Sequence, residues 1–165
     1  VRRAVTVPDA RVRLERVIAA PVGDVFRAFT EPELMVQWFA PFDGMPTTAD
    51  VDLRIGGEYR ICMGSRTAAG RYLEISPPSK LVFTWIWEDD AIPTETIVTV
   101  ALHPLEQRTR LVRTHERLPT EVSCMGFEAG WTANLARLLR LFAQRSHGSQ
   151  ANPQEPRPPA SSERS

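Results

Sequence analysis

Short runs of alternating apolar and polar residues dominate the chain between residues 11 and 118. The run KLVFTWIWE, residues 80–88, sets Leu81, Phe83, Trp85 and Trp87 at every second position. In a strand, alternate side chains share a face, so one strand would aim two tryptophans and a phenylalanine the same way. RVRLERVI (11–18) alternates as well. TADVDLRI places Val51, Leu53 and Ile55 on one face before a turn at Gly56-Gly57, and EYRICMG aligns Tyr59, Ile61 and Met63. GRYLEIS fits two phases, because Tyr72 with Glu74 competes with Leu73 and Ile75, and Pro77-Pro78 breaks it. TETIVTVALHP aligns Val98, Val100 and Leu102, and TRLVRTHERL aligns Leu111, Arg113 and His115. Short alternating runs with turn residues between them predict an antiparallel sheet.

Two stretches carry helical spacing instead. In APVGDVFRAFTEPELMVQWFAP, Val22, Val25, Phe26 and Phe29 form one apolar stripe, and Leu34, Met35, Trp38 and Phe39 a second. Pro21 and Pro32 suit the first turns of two short helices, Thr30 can cap the second, and Pro41 ends the pair. After Thr120, a good N-cap with Glu121 in the first turn, Phe127, Trp131, Leu135, Leu138 and Phe142 recur at helical intervals. Gly130 beside Trp131 costs helix propensity, and a glycine there predicts a close approach to the backbone. A single apolar stripe on a long helix must rest on something, and the aromatic face of the sheet is the available partner. The predicted class is therefore α+β: about seven strands in one curved antiparallel sheet wrapped around a long C-terminal helix, with two short helices after the first strand.

Composition narrows the functional classes. The chain has 165 residues, enough for one domain with a real core. Its 20 basic and 20 acidic residues balance, which gives no bulk electrostatic reason for a nucleic-acid partner. Lys80 is the only lysine, a bias that fits a GC-rich, bacterial genome. Cys62 and Cys124 form no disulfide framework and read as two buried thiols. No apolar run is long enough to span a membrane, and the N-terminus has no secretory pattern, so the expected location is the cytoplasm. From Ser146 onward the chain is rich in Pro, Ser and Gln, without Leu, Ile, Val or an aromatic residue; such a segment cannot offset its ordering entropy. Residues 1–10 thus read as an extension, 11–145 as the domain and 146–165 as a disordered tail.

Metal, nucleotide and serine-hydrolase signatures are missing. His103, His115 and His147 are widely spaced, and no G-x-S-x-G elbow, P-loop or dinucleotide fingerprint occurs. No metal or cofactor is expected. The strongest chemical candidate is the inward aromatic set of Trp38, Phe83, Trp85, Trp87, Phe127 and Trp131, which either fills the core or leaves a groove lined with aromatic rings. Phe83 reads as core, with Trp85 and Trp87 nearer an open end. Met63, Tyr59 and Tyr72 face the same space. Arg113 and His115, in phase with Leu111, would face inward; a buried arginine needs a carboxylate or a ligand anion. Glu128 and Glu74 are the possible partners, and a strand bulge that turns Arg113 outward is the alternative. His115 is either a hydrogen-bonded structural residue or a polar anchor and proton donor.

The segments VFRAFTEPELMVQWFAP, DLRIGGEYR, YLEISPPSKLVFTWIWED, TIVTVALHPLEQRTRL, THE and EAGWTANLARL, taken in order, resemble the SRPBCC (START-like, helix-grip) superfamily. Within it they are most similar to the branch named after the activator of the ninety-kilodalton heat-shock protein's ATPase. The resemblance covers residues 12 to about 143. It implies the helix-grip fold and a hydrophobic ligand cavity, but no single activity. Two departures stand out. The hairpin that overhangs the cavity in relatives is reduced here to GSRTAA, and Arg113 stands where a leucine is usual. The expected function is binding of a small hydrophobic or aromatic ligand between sheet and helix by Trp38, Tyr59, Met63, Tyr72, Trp85, Trp87, Arg113, His115, Phe127 and Trp131, in a monomer or homodimer without membrane insertion. The alternatives are a polyketide cyclase or dehydratase-like enzyme with His115 as acid/base, and a stress-response or co-chaperone-like interaction domain.

Overall fold

A computed structural model describes residues 10–40 and 42–148. The N-terminal extension up to Asp9, Pro41 and residues 149–165 lie outside the described residues. The elements follow the order β1 (Ala10–Ile18), α1 (Val22–Thr30), α2 (Pro32–Trp38), β2 (Thr47–Val51), β3 (Glu58–Met63), β4 (Arg66–Ser76), β5 (Lys80–Trp87), β6 (Thr96–Leu105), β7 (Arg108–Leu118) and α3 (Glu121–Gly148). The strands form one seven-stranded antiparallel sheet, ordered β1-β7-β6-β5-β4-β3-β2. Helix α3 packs across it against β1 and β7 and meets α2. This is the α+β helix-grip arrangement that the alternation and the long apolar stripe predict.

The buried positions follow the strand phases. Leu81, Phe83 and Trp85 of β5, Val98, Val100 and Leu102 of β6, and Leu111, Arg113 and His115 of β7 are all buried. Register explains the two-phase segment in β4. Tyr72 pairs with Phe83 and Glu74 with Val82, so Leu73 is an extra residue in a bulge. The bulge reverses the phase, and Tyr72 before it and Ile75 after it both join the core. Gly70 just upstream admits β5 closely: a Cβ there would sit 1.9 Å from the Thr84 carbonyl oxygen.

Several local expectations are corrected. Strand β2 stops at Val51, and Leu53 and Ile55 are exposed. The backbone from Asp52 to Gly57 forms a loop: Arg54 and Gly57 N–H groups donate to Asp52 and Arg54 carbonyls within it, its ends bond Glu58 and Tyr72, and Gly56, at φ +80°, lets the chain reverse. GSRTAA is mostly strand: Met63 pairs with Arg66 across a tight turn at Gly64-Ser65. Pro21 is the N-cap of α1, and Glu31, not Thr30, is the N-cap of α2; the Thr30 hydroxyl donates instead to the Phe26 carbonyl at 3.0 Å. Thr120 does cap α3, accepting from the Ser123 N–H at 3.0 Å. That helix continues through Gly148, past the boundary expected at Arg145. Cys62 and Cys124 are free and only half-buried.

Candidate functional site

Helix α3 grips the sheet over only part of its length. Its buried residues begin at Trp131 and continue through Leu135, Leu138 and Phe142. Arg137 anchors this half, donating to the Ala40 carbonyl at 3.1 Å and pairing with Asp43 at 3.2 Å. The preceding turns from Glu121 to Gly130 contain no buried residue. Here the helix stands off the sheet, and a cleft of about 320 Å³ opens. Its sheet wall is Met63, Trp85 and Trp87; its helix wall is Phe127, Trp131 and Asn134, with Gly126 and Gly130 between them. A Cβ at either glycine would meet nothing within 4 Å, so Gly130 leaves open space instead of admitting a neighbouring backbone.

The rings interlock. Trp85 contacts Trp87 edge-on at 5.2 Å and Trp131 edge-on at 4.7 Å, while Phe127 lies nearly parallel to Trp87 at 6.5 Å. The Arg66 guanidinium covers Trp87 at 4.4 Å from its ring centre. Two polar atoms on this apolar wall have no partner among the described residues: Trp85 Nε1 and Asn134 Oδ1. Trp85 is 1% exposed and Asn134 4%.

Behind the wall lies a closed polar chain. The Trp131 indole N–H donates to His115 Nδ1 at 3.0 Å. An indole nitrogen can only donate, so Nδ1 accepts and the neutral ring carries its proton on Nε2. Nε2–H then donates to the Thr96 hydroxyl at 2.6 Å, which donates onward to the Trp85 carbonyl at 3.0 Å. Burial, assisted by the charge of Arg113, pushes the His115 pKa down to about 3. Both ring nitrogens are thus engaged inside the fold.

Arg113 is 1% exposed and faces inward, so no bulge turns it to solvent. Neither proposed carboxylate reaches it: Glu74 bonds Lys80 at 3.1 Å, and Glu128 is exposed. Its Nε, Nη1 and Nη2 have no acceptor among the described residues. The guanidinium lies against rings, with its central carbon 3.3 Å from the Trp131 ring centre and 5.8 Å and 5.9 Å from Phe39 and Phe29. Burial lowers its pKa to about 9.

The sequence-predicted residues therefore divide. Met63, Trp85, Trp87, Phe127 and Trp131 meet in the cleft. Arg113 and His115 sit directly behind Trp131. Trp38 is elsewhere, with its N–H donating to the Ala28 carbonyl at 3.0 Å between α1 and α2. Tyr59 and Tyr72 pack with Phe83, away from the cleft; the Tyr59 hydroxyl donates to the Thr84 carbonyl, and burial raises both phenol pKa values. Sequence reasoning missed Asn134, whose signal is a lone amide one helical turn from Trp131 and Leu138, on the buried stripe. Among the described residues no cluster of His, Cys, Asp and Glu could hold a metal, and no helix is long and apolar enough to cross a membrane.

Residues 19–143 match the family described as Activator of Hsp90 ATPase homolog 1-like protein. The chain belongs to that family. This Hsp90-activator-like fold is similar to solved structures of three relatives. A Chromobacterium violaceum protein is 30% identical, with a TM-score of 0.71 over 80% of this chain and 96% of that one. A Nitrosomonas europaea protein is 29% identical, with a TM-score of 0.68 over 83% and 96%. An Hsp90 activator from Plasmodium falciparum is 25% identical, with a TM-score of 0.68 over 81% and 96%. No curated protein matches the chain.

Proposed function

We propose that this protein binds a small, flat, hydrophobic ligand in the cleft between β5 and the first turns of α3. The observation that carries the reading is the pair of buried, unpartnered polar atoms on an aromatic wall. A buried donor or acceptor without a partner is costly, and native folds rarely keep one without a reason. Trp85, whose Nε1 is a donor, and Asn134, whose amide oxygen is an acceptor, are both residues of the cleft wall. A ligand with an aromatic body and one or two hydrogen-bonding groups would satisfy both while covering the exposed parts of Trp87 and Phe127. Bare glycine backbone at positions 126 and 130 leaves room for it. The closed wiring of His115 supports binding over acid–base turnover.

Methyl naphthoate, a flat ester, is a suitable probe. It should quench tryptophan fluorescence saturably in the wild type, and Gly130→Leu, which fills the cleft without touching the core, should abolish the saturable part. Equal quenching in both proteins would remove the cleft as the binding site.

A further inference from the structure

We infer that Arg113 is the anchor for an anionic group on the ligand, most naturally a carboxylate, and that Trp131 is the movable cover between them. The inference rests on the cleft reading above and names the ligand's charge. A guanidinium presents five N–H donors in a rigid fork suited to a carboxylate. In Arg113 none of its three nitrogens has an acceptor among the described residues, although the residue is buried. Its surroundings are aromatic faces, which attract a cation but accept none of its hydrogen bonds in the plane of the fork.

The path to the cation is defined by what touches it. The ring of Trp131 lies 3.3 Å from the guanidinium carbon and is also part of the cleft wall. A single side chain thus contacts both the cation and the cleft. The opposite side is closed: Phe29 and Phe39, the other two rings near Arg113, border a hollow of only about 10 Å³ that Arg113 does not line. That space holds about one water at most. Trp131 follows Gly130 on α3, and the open space beside Gly126 and Gly130 gives its ring somewhere to turn. The ring packs edge-on against Trp85 at 4.7 Å, and its hydrogen bond to the sheet is the N–H···Nδ1 bond to His115. Turning the ring breaks that bond and exposes the fork, and the ion pair that forms replaces it with charge-assisted bonds in a water-poor site.

The test compares naphthoate with its methyl ester at pH 7. Wild type should bind the carboxylate about tenfold or more tightly, a difference of ~1.4 kcal/mol. Arg113→Leu should hold the ester as before and lose the preference; Arg113→Met, which keeps an unbranched stem, serves if the leucine variant does not fold. The Trp131 indole N–H resonance should move further with the carboxylate than with the ester. Equal binding of acid and ester by wild type would overturn the inference while leaving the cleft reading intact, and needs no variant. A preference that survives in the variants, or an unmoved Trp131 resonance, would overturn it too. Failure of both probes to bind would overturn the cleft reading together with this one.

Discussion

His115 spends both of its ring nitrogens holding Trp131 and Thr96 in place, and that arrangement requires the neutral ring. The consequence is a stability that depends on pH in a stated window. Above about pH 6.5 the folded and unfolded chains both carry a neutral imidazole. Between there and about pH 3, the unfolded chain takes up a proton that the folded one refuses. The stability contributed by the buried ring is therefore lost as the pH falls through that window. The difference in unfolding free energy between wild type and His115→Gln should shrink on acidification from pH 7 to pH 4, since glutamine does not titrate; a constant difference would mean that His115 can be protonated in the folded state. At this scale the sequence was informative about direction. The alternation of Leu111, Arg113 and His115 was enough to turn all three inward. It could not supply their partners, because those depend on which strand ends and helix turns come together in space. Glu74 falls just past the β4 bulge and is bonded to Lys80, and Glu128 lies on the open face of α3.

Helix α3 carries two functions on one stripe. From Trp131 to Phe142 it packs on the sheet, and from Glu121 to Gly130 it forms a roof over the cleft. The glycines at 126 and 130 belong to the roof, where no neighbouring atom constrains them. Replacing either by alanine should raise stability by roughly 1 kcal/mol through helix propensity alone, and should weaken binding of methyl naphthoate because the methyl group enters the cleft. Thermal unfolding and fluorescence titration of the same variants check both halves. A variant that is less stable would show that the roof is not a regular helix in solution. The long stripe was legible because apolar residues at helical spacing persist over several turns. The point where the helix leaves the sheet was not, since Phe127 and Trp131 fit the same periodicity whether they face a core or a cavity. Strand β2 was over-extended for a related reason: alternation in DLRI is genuine, but the loop's own hydrogen bonds and Gly56 end the strand at Val51.

For the molecule as a whole, one curved sheet and one helix close at one end and part at the other. The two short helices and Trp38 seal the closed end. The four tryptophans read from the sequence as one inward set, and three-dimensional packing separates them: Trp38 is core, whereas Trp85, Trp87 and Trp131 wall the cleft. Burial alone does not make that separation, because Trp38 and Trp85 are both almost inaccessible. Their indole N–H groups do, since Trp38 donates to Ala28 and Trp85 to nothing among the described residues. This contrast provides an internal control within one spectrum. In a heteronuclear NMR titration of wild-type protein with methyl naphthoate, the indole N–H resonances of Trp85 and Trp87 should shift together and saturate, the Trp85 signal moving furthest as it gains an acceptor, while Trp38 stays fixed. Unchanged Trp85 and Trp87 signals at saturating probe, or a Trp38 signal that moves as far as theirs, would contradict a ligand site between β5 and α3.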